Sequence, residues 1–276
     1  MSYLKTEVYG LKADDPSVSL VCYSAGTSKE IPFNEKRKAV LIIPGGGYSF
    51  CSDREAEPLA FSFLAKGFNA FVLFYSLKEK SKWPAPLIDA SLAVKFIKDN
   101  AEEFRIDPDY IFAIGFSAGG HLAGALGTMW HEKEIYDAID MPYGYNKVRG
   151  VILAYPVIDA GRYAHRGSID NITGMDHSEN ASEDLLDAVS IHKHVDGRTV
   201  PMFVWHTATD TTVPVQNSLL LCHALADNKI PFELRVYPEG GHGFSLATDV
   251  VCSGVRTEDP YVAGWFEDSV RFIKKL

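Results

Sequence analysis

The sequence predicts an α/β fold with a mostly parallel sheet and helices on both faces. Six apolar runs typical of buried strands are separated for the most part by segments with a helical pattern. Such alternation favours parallel strands, because each crossover between them needs a connecting helix. The chain has 276 residues, 46% of them hydrophobic, which suits one large domain. We therefore expect residues 1–276 to form a single domain of this class.

Each predicted element can be placed in order along the chain. Two short strands at 6–9 and 17–23 come first and predict an antiparallel edge of the sheet. The strands of the alternating region are expected at 39–43, 68–75, 110–114, 148–155, 200–206 and 232–237. The helices are expected at 55–66, 84–104, 121–130, 215–228 and 260–274. Apolar residues in the 84–104 segment recur at helical spacing, so one face of this helix should be buried.

One connection breaks this alternation. The interval between Asp159 and Val200 is polar and contains only one segment typical of a helix, at 182–191, with Ser182 as its expected N-cap. A connection of this length beside the ends of the strands is typical of a lid over a binding site. We expect residues 160–198 to form a small cap-like insertion, with a simple surface excursion as the alternative.

A serine stands at a sharp turn between a predicted strand and a predicted helix. Residues 115–120 read Gly-Phe-Ser-Ala-Gly-Gly, with glycines two positions before and after Ser117. A strand that reverses into a helix so abruptly leaves little room for side chains beside the apical one. An ordinary tight turn is the alternative. A serine hydroxyl becomes a useful nucleophile only when a base and an acid assist it.

Two later loops supply candidates for the base and the acid. Asp210 follows the strand at 200–206, and His242 follows the strand at 232–237. Because the carboxyl ends of parallel strands meet at one edge of a sheet, we expect Ser117, Asp210 and His242 to lie together. The order Ser, Asp, His is that of α/β-hydrolases. Asp159 is the alternative acid, and either aspartate could instead form a turn or cap a helix.

A glycine-rich loop follows the strand at 39–43. It reads Pro-Gly-Gly-Gly-Tyr over residues 44–48, and the absence of side chains lets backbone N–H groups point inward. Such amides suit the developing negative charge of a tetrahedral intermediate. We predict an oxyanion hole formed by the amides of Gly46, Gly47 and Ala118.

These motifs resemble those of the α/β-hydrolases of the esterase/lipase group, and more narrowly those of bacterial acetyl esterases and acetylxylan-esterase-like carbohydrate esterases. The matching stretches are 44–48, 54–58, 115–120, 210–214 and 241–243. The resemblance implies an α/β-hydrolase fold and a serine esterase that hydrolyses short-chain esters, above all acetyl esters of carbohydrates, through an acyl-enzyme. Pro44 stands where hormone-sensitive-lipase-like esterases carry histidine, which favours the carbohydrate branch.

Other functions remain open at this point. An arylformamidase-like enzyme or a general carboxylesterase shares the same residues. A peptidase related to prolyl oligopeptidases shares their order, although such enzymes carry a further large domain. A non-catalytic binding protein on the same scaffold would typically lack one of the three catalytic candidates, and all three are present.

Aromatic residues flank the site motifs and suit sugar rings or aryl groups. We predict substrate contacts for Tyr48, Phe116 and Phe244, with core packing as the alternative; Phe50 is a further flanking aromatic. Charged residues that follow the glycine loop are expected to anchor that loop or cap the next helix rather than contact substrate. They are Arg54, Glu55 and Glu57.

Composition excludes several other classes of function. The net charge of −9 and the absence of a basic cluster argue against a nucleic acid or an anionic membrane as partner. Neither a signal peptide nor a membrane-spanning segment is recognisable, so we expect a cytoplasmic protein. No metal-binding motif is present, since His192 and His194 would face different directions on a helix. We expect no metal, no cofactor, and a small ester, such as an acylated sugar, as partner.

Overall fold

The computed structural model describes residues 4–26, 30, 36–176, 180–252 and 258–276. Its strands are β1 (Leu4–Gly10), β2 (Ser19–Ala25), β3 (Arg37–Ile43), β4 (Asn69–Phe74), β5 (Ile106–Phe116), β6 (Gly150–Ala154), β7 (Met202–Thr207) and β8 (Phe232–Tyr237). Within the described residues these strands form one sheet in the order β1-β2-β4-β3-β5-β6-β7-β8. The pairs β1–β2 and β2–β4 are antiparallel, and all the others are parallel. The predicted antiparallel edge is therefore confirmed.

The burial of each strand matches its central or edge position in the sheet. Strands β6 and β7 are buried at every residue, as expected for continuous apolar runs covered on both faces. Strand β1 is exposed at six of its seven residues and forms the edge of the sheet. Strand β5 begins at Ile106, four residues before the predicted start, because Ile106 already pairs with Arg37 of β3.

Helices cover both faces of the sheet. They are α1 (Glu57–Ala65), α2 (Ala85–Asp99), α3 (Ala101–Phe104), α4 (Ala118–Thr128), α5 (Lys133–Ala138), α6 (Arg166–Thr173), α7 (Glu183–Ala188), α8 (Gln216–Asp227) and α9 (Pro260–Lys275). Side chains of α2, α4 and α8 pack into one buried cluster, and those of α1 and α9 pack into a second cluster on the opposite face. The predicted α/β class is therefore confirmed.

The helices differ from the prediction in two respects: one predicted helix is divided, and two observed helices were not predicted. The segment 84–104 is not one helix: α2 ends at Asp99, and α3 ends at Phe104, followed by Arg105 in a left-handed conformation with φ 55°. Helices α5 and α6 were not predicted. Helix α6 begins after His165, whose side chain accepts the amide of Ser168, and histidine is not among the residues that usually signal a helix start. The predicted N-cap Ser182 is confirmed, since it accepts the amide of Leu185 at the start of α7.

The fold brings four loops to one edge of the sheet. Strands β3, β5, β7 and β8 are parallel, so the loops that follow their carboxyl ends lie side by side. Helix α6 also reaches this edge: the Nδ2 group of Asn171 donates to the carbonyl of Gly47 and to Oγ of Ser49, both at 2.8 Å. Among the described residues, no helix combines the length and apolarity that crossing a membrane needs.

Candidate active site

Ser117 occupies a strained turn between β5 and α4. Its backbone has φ 54° and ψ −116°, a conformation that costs energy for any residue other than glycine. The turn is packed so closely that a Cβ on Gly115 would lie 2.1 Å from the carbonyl oxygen of Gly119. A Cβ on Gly119 would lie 2.1 Å from the carbonyl oxygen of Ile43. The two glycines are therefore required by the backbone packing that presents the Ser117 hydroxyl.

His242 joins the serine to the aspartate. Its Nε2 atom lies 2.8 Å from Oγ of Ser117, and its Nδ1 atom lies 2.7 Å from Oδ2 of Asp210. With a proton on Nδ1, the imidazole donates to the carboxylate and leaves Nε2 as an acceptor for the serine hydroxyl. The ring edge of Tyr155 packs against this imidazole, with 5.0 Å between ring centroids. The arrangement can therefore move a proton from Ser117 to His242.

Asp210 is held as a carboxylate in the loop after β7. Its Oδ1 atom accepts the amides of Thr212 at 2.9 Å and Val213 at 3.0 Å. Burial alone would raise the pKa of this carboxyl, but hydrogen bonds from two histidines and from the Val213 amide outweigh that effect. The pKa of Asp210 is consequently well below its ordinary value. The group is thus suited to stabilise a positively charged imidazole.

The alternative acid, Asp159, has a different role. Its Oδ2 atom accepts the amide of Tyr163 at 2.8 Å, and its own amide donates to Oδ1 of Asn217 at 2.9 Å. These bonds are those of a turn-forming aspartate. The acid that His242 contacts is Asp210.

A second histidine contacts Asp210 and was missed by the sequence reasoning. His206 is fully buried at the end of β7, and its Nε2 atom lies 2.9 Å from the Val213 carbonyl and 3.4 Å from Oδ2 of Asp210. Its Nδ1 atom lies 2.7 Å from Oγ of Ser218. A proton on Nε2 and a hydroxyl donor at Nδ1 satisfy both ring nitrogens. The only signal in the sequence is a histidine four residues before the aspartate, which equally fits a core residue.

The glycine-rich loop lies beside Ser117 in the same cleft. Gly46 and Gly47 line this cleft and have φ values of 130° and 63°. A Cβ on Gly46 would lie 2.0 Å from the carbonyl oxygen of Phe50, so only glycine fits there. Ala118 is the first residue of α4, where a backbone N–H has no acceptor within the helix. Gly46 and Gly47 therefore lie in the same cleft as Ser117, and Ala118 follows the serine directly in the chain.

Glu55 fixes the start of the glycine-rich loop. Its buried carboxylate accepts the amide of Gly45 at 2.9 Å and the hydroxyl of Tyr155 at 2.7 Å. The Tyr155 hydroxyl in turn accepts the amide of Ser245 at 2.9 Å, close to His242 in the chain. This chain of hydrogen bonds therefore links the glycine-rich loop to the loop that carries the histidine. Neither the role of Tyr155 nor its link to Glu55 was evident from the sequence.

The neighbouring charged residues also act as anchors. Arg54 donates from Nη1 to the carbonyl of Gly243 at 3.0 Å, next to His242. Glu57 accepts the hydroxyl of Tyr23 at 3.0 Å and stands in the first turn of α1, where a negative charge is favourable. The expectation that these residues anchor the glycine-rich loop is confirmed for Glu55, whereas Arg54 anchors the loop that carries His242.

His121 forms a hydrogen bond with the glycine-rich loop through Tyr48. It is fully buried in the first turn of α4, with Nδ1 2.7 Å from the hydroxyl of Tyr48 and Nε2 2.8 Å from the carbonyl of Val189. Burial lowers the pKa of His121 to about 4. The imidazole is therefore neutral, accepting from Tyr48 and donating to Val189. Both ring nitrogens are thus engaged by Tyr48 and Val189, and neither contacts the Ser117 hydroxyl.

The predicted substrate contacts of the aromatic residues need correction. Tyr48 is 1% exposed and Phe116 is 0% exposed, so the prediction is wrong for both side chains. Phe116 packs instead against Tyr155 and Trp265 in the core. Phe244 is half-buried, packs against the same core and is not part of the cleft wall. Phe50 is the flanking aromatic that lines the cleft, and 58% of its surface is exposed.

The cleft around Ser117 has a volume of about 380 Å³. His165 closes one side of it, with Nδ1 2.8 Å from Oγ of Ser168 at the start of α6. The pKa of His165 is lowered mainly by burial and, to a smaller extent, by the nearby His242. This imidazole is therefore neutral near pH 7. Thr212 and Asn171 also line the cleft. The cleft therefore contains Ser117, its hydrogen-bonded partner His242 and several neutral polar groups.

Known proteins are similar to this chain along most of its length. Endo-1,4-beta-xylanase B of Butyrivibrio fibrisolvens is 41% identical over 79% of this chain, and acetylxylan esterase of Xylanibacter ruminicola is 29% identical over 86% of it. The chain spans only 34% and 45% of the lengths of these two relatives. The acetyl ester-xyloside bifunctional hydrolase of Caldicellulosiruptor lactoaceticus is 33% identical, with a TM-score of 0.77, and the match covers 95% of this chain and 96% of that one.

The family assignment follows from a match over more than half of the chain. The family described as BD-FAE matches residues 31–225, which include β3, β5, the Ser117 turn and Asp210. Other solved structures with this fold include α/β-hydrolases and carboxylesterases. These findings confirm the α/β-hydrolase fold and the resemblance seen in the motifs. The chain belongs to the BD-FAE family of α/β-hydrolases.

Proposed function

We propose that this chain is a serine esterase that works through an acyl-enzyme, with Ser117 as nucleophile, His242 as base and Asp210 as the acid that orients it. The observation that supports the proposal most strongly is the position of His242, 2.8 Å from Ser117 and 2.7 Å from Asp210. Nucleophile and base within hydrogen-bond reach, with the base oriented by a third group, are what acyl transfer requires.

The reaction follows from these contacts. His242 takes the hydroxyl proton as Ser117 Oγ attacks the ester carbonyl, and the new oxyanion is bound by the amides of Gly46, Gly47 and Ala118. The imidazolium, stabilised by Asp210, then gives its proton to the departing alcohol. A water molecule repeats the sequence and releases the acid, which regenerates the free hydroxyl of Ser117.

The proposed substrate is a short-chain ester, most simply an acetyl ester of a carbohydrate. The small cleft supports a short acyl group, since its volume of about 380 Å³ lies near the lower end of the range for small-molecule sites. The polar side chains of His165, Asn171 and Thr212 in its wall suit a hydroxyl-rich alcohol. The names of two relatives, an acetylxylan esterase and an acetyl ester-xyloside hydrolase, support the same substrate class.

We also propose that the chain acts as a single domain in which residues 160–198 form a cap-like insertion over the site. Support comes from α6, whose Asn171 binds the carbonyl of Gly47 at the cleft. His121 adds a second link, because it joins Tyr48 of the glycine-rich loop to Val189 of the insertion.

The proposed function is tested by acyl-chain preference. Steady-state kinetics on aryl acetate, butyrate and octanoate esters should give the highest kcat/KM for acetate, and Ser117→Ala should lower kcat on the order of 10⁴-fold or more. A preference for octanoate would reject the short-chain proposal. Faster cleavage of a prolyl amide or a formyl amide would favour the peptidase or formamidase alternatives.

A further inference from the structure

We propose that a second cavity, next to the cleft around Ser117, is a subsite for the sugar unit beside the acylated one. This inference rests on the proposed esterase function and extends it from single esters to acylated oligosaccharides. The cavity has a volume of about 450 Å³ and shares Ser49 and Phe50 with the cleft around Ser117. The two cavities are therefore adjacent at Ser49 and Phe50.

The position of Phe50 makes it a platform for the alcohol part of a substrate. The Phe50 amide donates to the carbonyl of Gly46 at 3.3 Å, and its ring lies beside the Gly46 backbone. A carbonyl oxygen bound by the Gly46 amide would therefore place the rest of the ester close to this ring. More than half of the Phe50 surface is exposed, which leaves a ring face open to the apolar C–H face of a sugar.

The rest of the second cavity has a mixed wall, in which Cys51, Phe74, Tyr75 and Leu77 lie beside four polar or charged residues. Ser17, Lys78, Glu79 and Lys80 line it, and together they offer donors and acceptors for hydroxyl groups. The ammonium group of Lys80 lies 2.9 Å from Oδ2 of Asp15, which holds this side of the cavity in place. A wall that combines apolar and polar groups fits a sugar ring, which has apolar C–H faces and hydroxyl edges, better than an aliphatic chain, which brings no partners for the polar groups.

The wall of this cavity is tied to the catalytic loop. The amide of Lys78 donates to the carbonyl of Tyr48 at 2.8 Å, and Lys78 has a left-handed backbone with φ 54°. Tyr48 in turn follows the two glycines of the proposed oxyanion hole. A ligand bound against Lys78 and Phe50 would therefore be aligned with the reacting carbonyl, so binding there can raise kcat/KM.

The test compares substrates of increasing length. For an acetylated xylose, xylobiose and xylotriose series, we expect kcat/KM relative to p-nitrophenyl acetate to rise about tenfold from the monosaccharide to the disaccharide. Phe50→Ala should remove this rise, and Phe50→Tyr, which keeps the ring, should restore it. Phe61→Ala is the matched control, because Phe61 is 51% exposed and lies outside both cavities.

A binding measurement separates this inference from the proposed function. Calorimetric titration of Ser117→Ala with unacetylated xylotriose should show binding that Phe50→Ala, introduced in addition, weakens about tenfold. Equal kcat/KM values across the sugar series, or length dependence that survives Phe50→Ala, would overturn the subsite. If no ester is hydrolysed but xylotriose binds through Phe50, the proposed catalysis fails and the subsite stands. If acetyl esters are cleaved without binding or length dependence, only the subsite fails.

Discussion

His206 and Asp210 face each other in the protein interior, with the Nε2 atom of His206 3.4 Å from Oδ2 of Asp210. The same oxygen accepts the hydrogen bond from His242. One carboxylate oxygen therefore lies between two imidazoles, and of these two it is His242 that contacts the Ser117 hydroxyl. His206 acts through Asp210 and the Val213 carbonyl, so we describe it as a positioning residue.

Replacing His206 should impair turnover more than substrate binding. His206→Gln removes the ring that holds the Asp210 turn, and we expect kcat to fall roughly 10- to 100-fold with little change in KM, as for a small misplacement of a catalytic group. Steady-state kinetics on a folded sample gives this measurement. Ser218→Ala, which removes only the partner of Nδ1, should have a smaller effect. A His206→Gln variant with kcat within twofold of the parent would contradict the positioning role.

The Tyr155 hydroxyl should matter for stability as well as for activity. Tyr155→Phe leaves the Glu55 carboxylate and the Ser245 amide each short of one partner in the interior. We expect a loss of about 1 to 3 kcal/mol in the free energy of unfolding, the usual cost of such an unsatisfied group. Denaturant unfolding measures this loss. Tyr143→Phe, at a tyrosine that is 68% exposed, is the control and should change stability little.

The lowered pKa of His121 should make the free energy of unfolding depend on pH. Its folded-state pKa of about 4 lies below its ordinary value of 6.5, so the unfolded chain binds the extra proton first as the pH falls. The free energy of unfolding should thus be unaffected by this group above pH 6.5 and fall by roughly 3 kcal/mol between pH 6.5 and pH 4.

Two variants isolate this effect of His121. Unfolding free energies measured across the pH range should show a shallower slope for His121→Gln. The slope should stay unchanged for His223→Gln, since His223 is exposed on α8. An equal slope in parent and His121→Gln would remove His121 as its cause. The lowered pKa of Asp210 acts in the same direction but at lower pH, below the ordinary value of 3.8.

Two glycine-to-alanine substitutions, at Gly119 and Gly264, should have opposite effects on stability. Gly119→Ala would place a Cβ against the backbone of Ile43 and Pro44, so the Ser117 turn cannot keep its shape. We expect loss of activity and a lower melting temperature. Gly264→Ala in α9 meets nothing within 4 Å and should raise stability by about 0.5 to 1 kcal/mol. Thermal unfolding of both variants checks the pair, and a Gly119→Ala variant with normal stability would refute the packing argument.

The sequence was most informative where function depends on local backbone geometry. The Ser117 turn could be predicted because its glycines are needed by the chain within a few residues, and strand order placed Asp210 and His242 at the same edge. The Glu55–Tyr155 bond joins residues 100 positions apart, and no local pattern indicates it. Phe116 was misjudged because nearness to a motif does not reveal which face of the sheet a side chain occupies. Helix α6 was missed because His165 is an unusual cap.

The most direct test of the catalytic assignment is intact-mass spectrometry after treatment with a fluorophosphonate probe. The Ser117–His242–Asp210 arrangement predicts one adduct per chain, located on Ser117 by peptide mapping and absent or strongly slowed in His242→Ala. No adduct on a folded chain, or an adduct on another residue with Ser117 unmodified, would contradict the assignment.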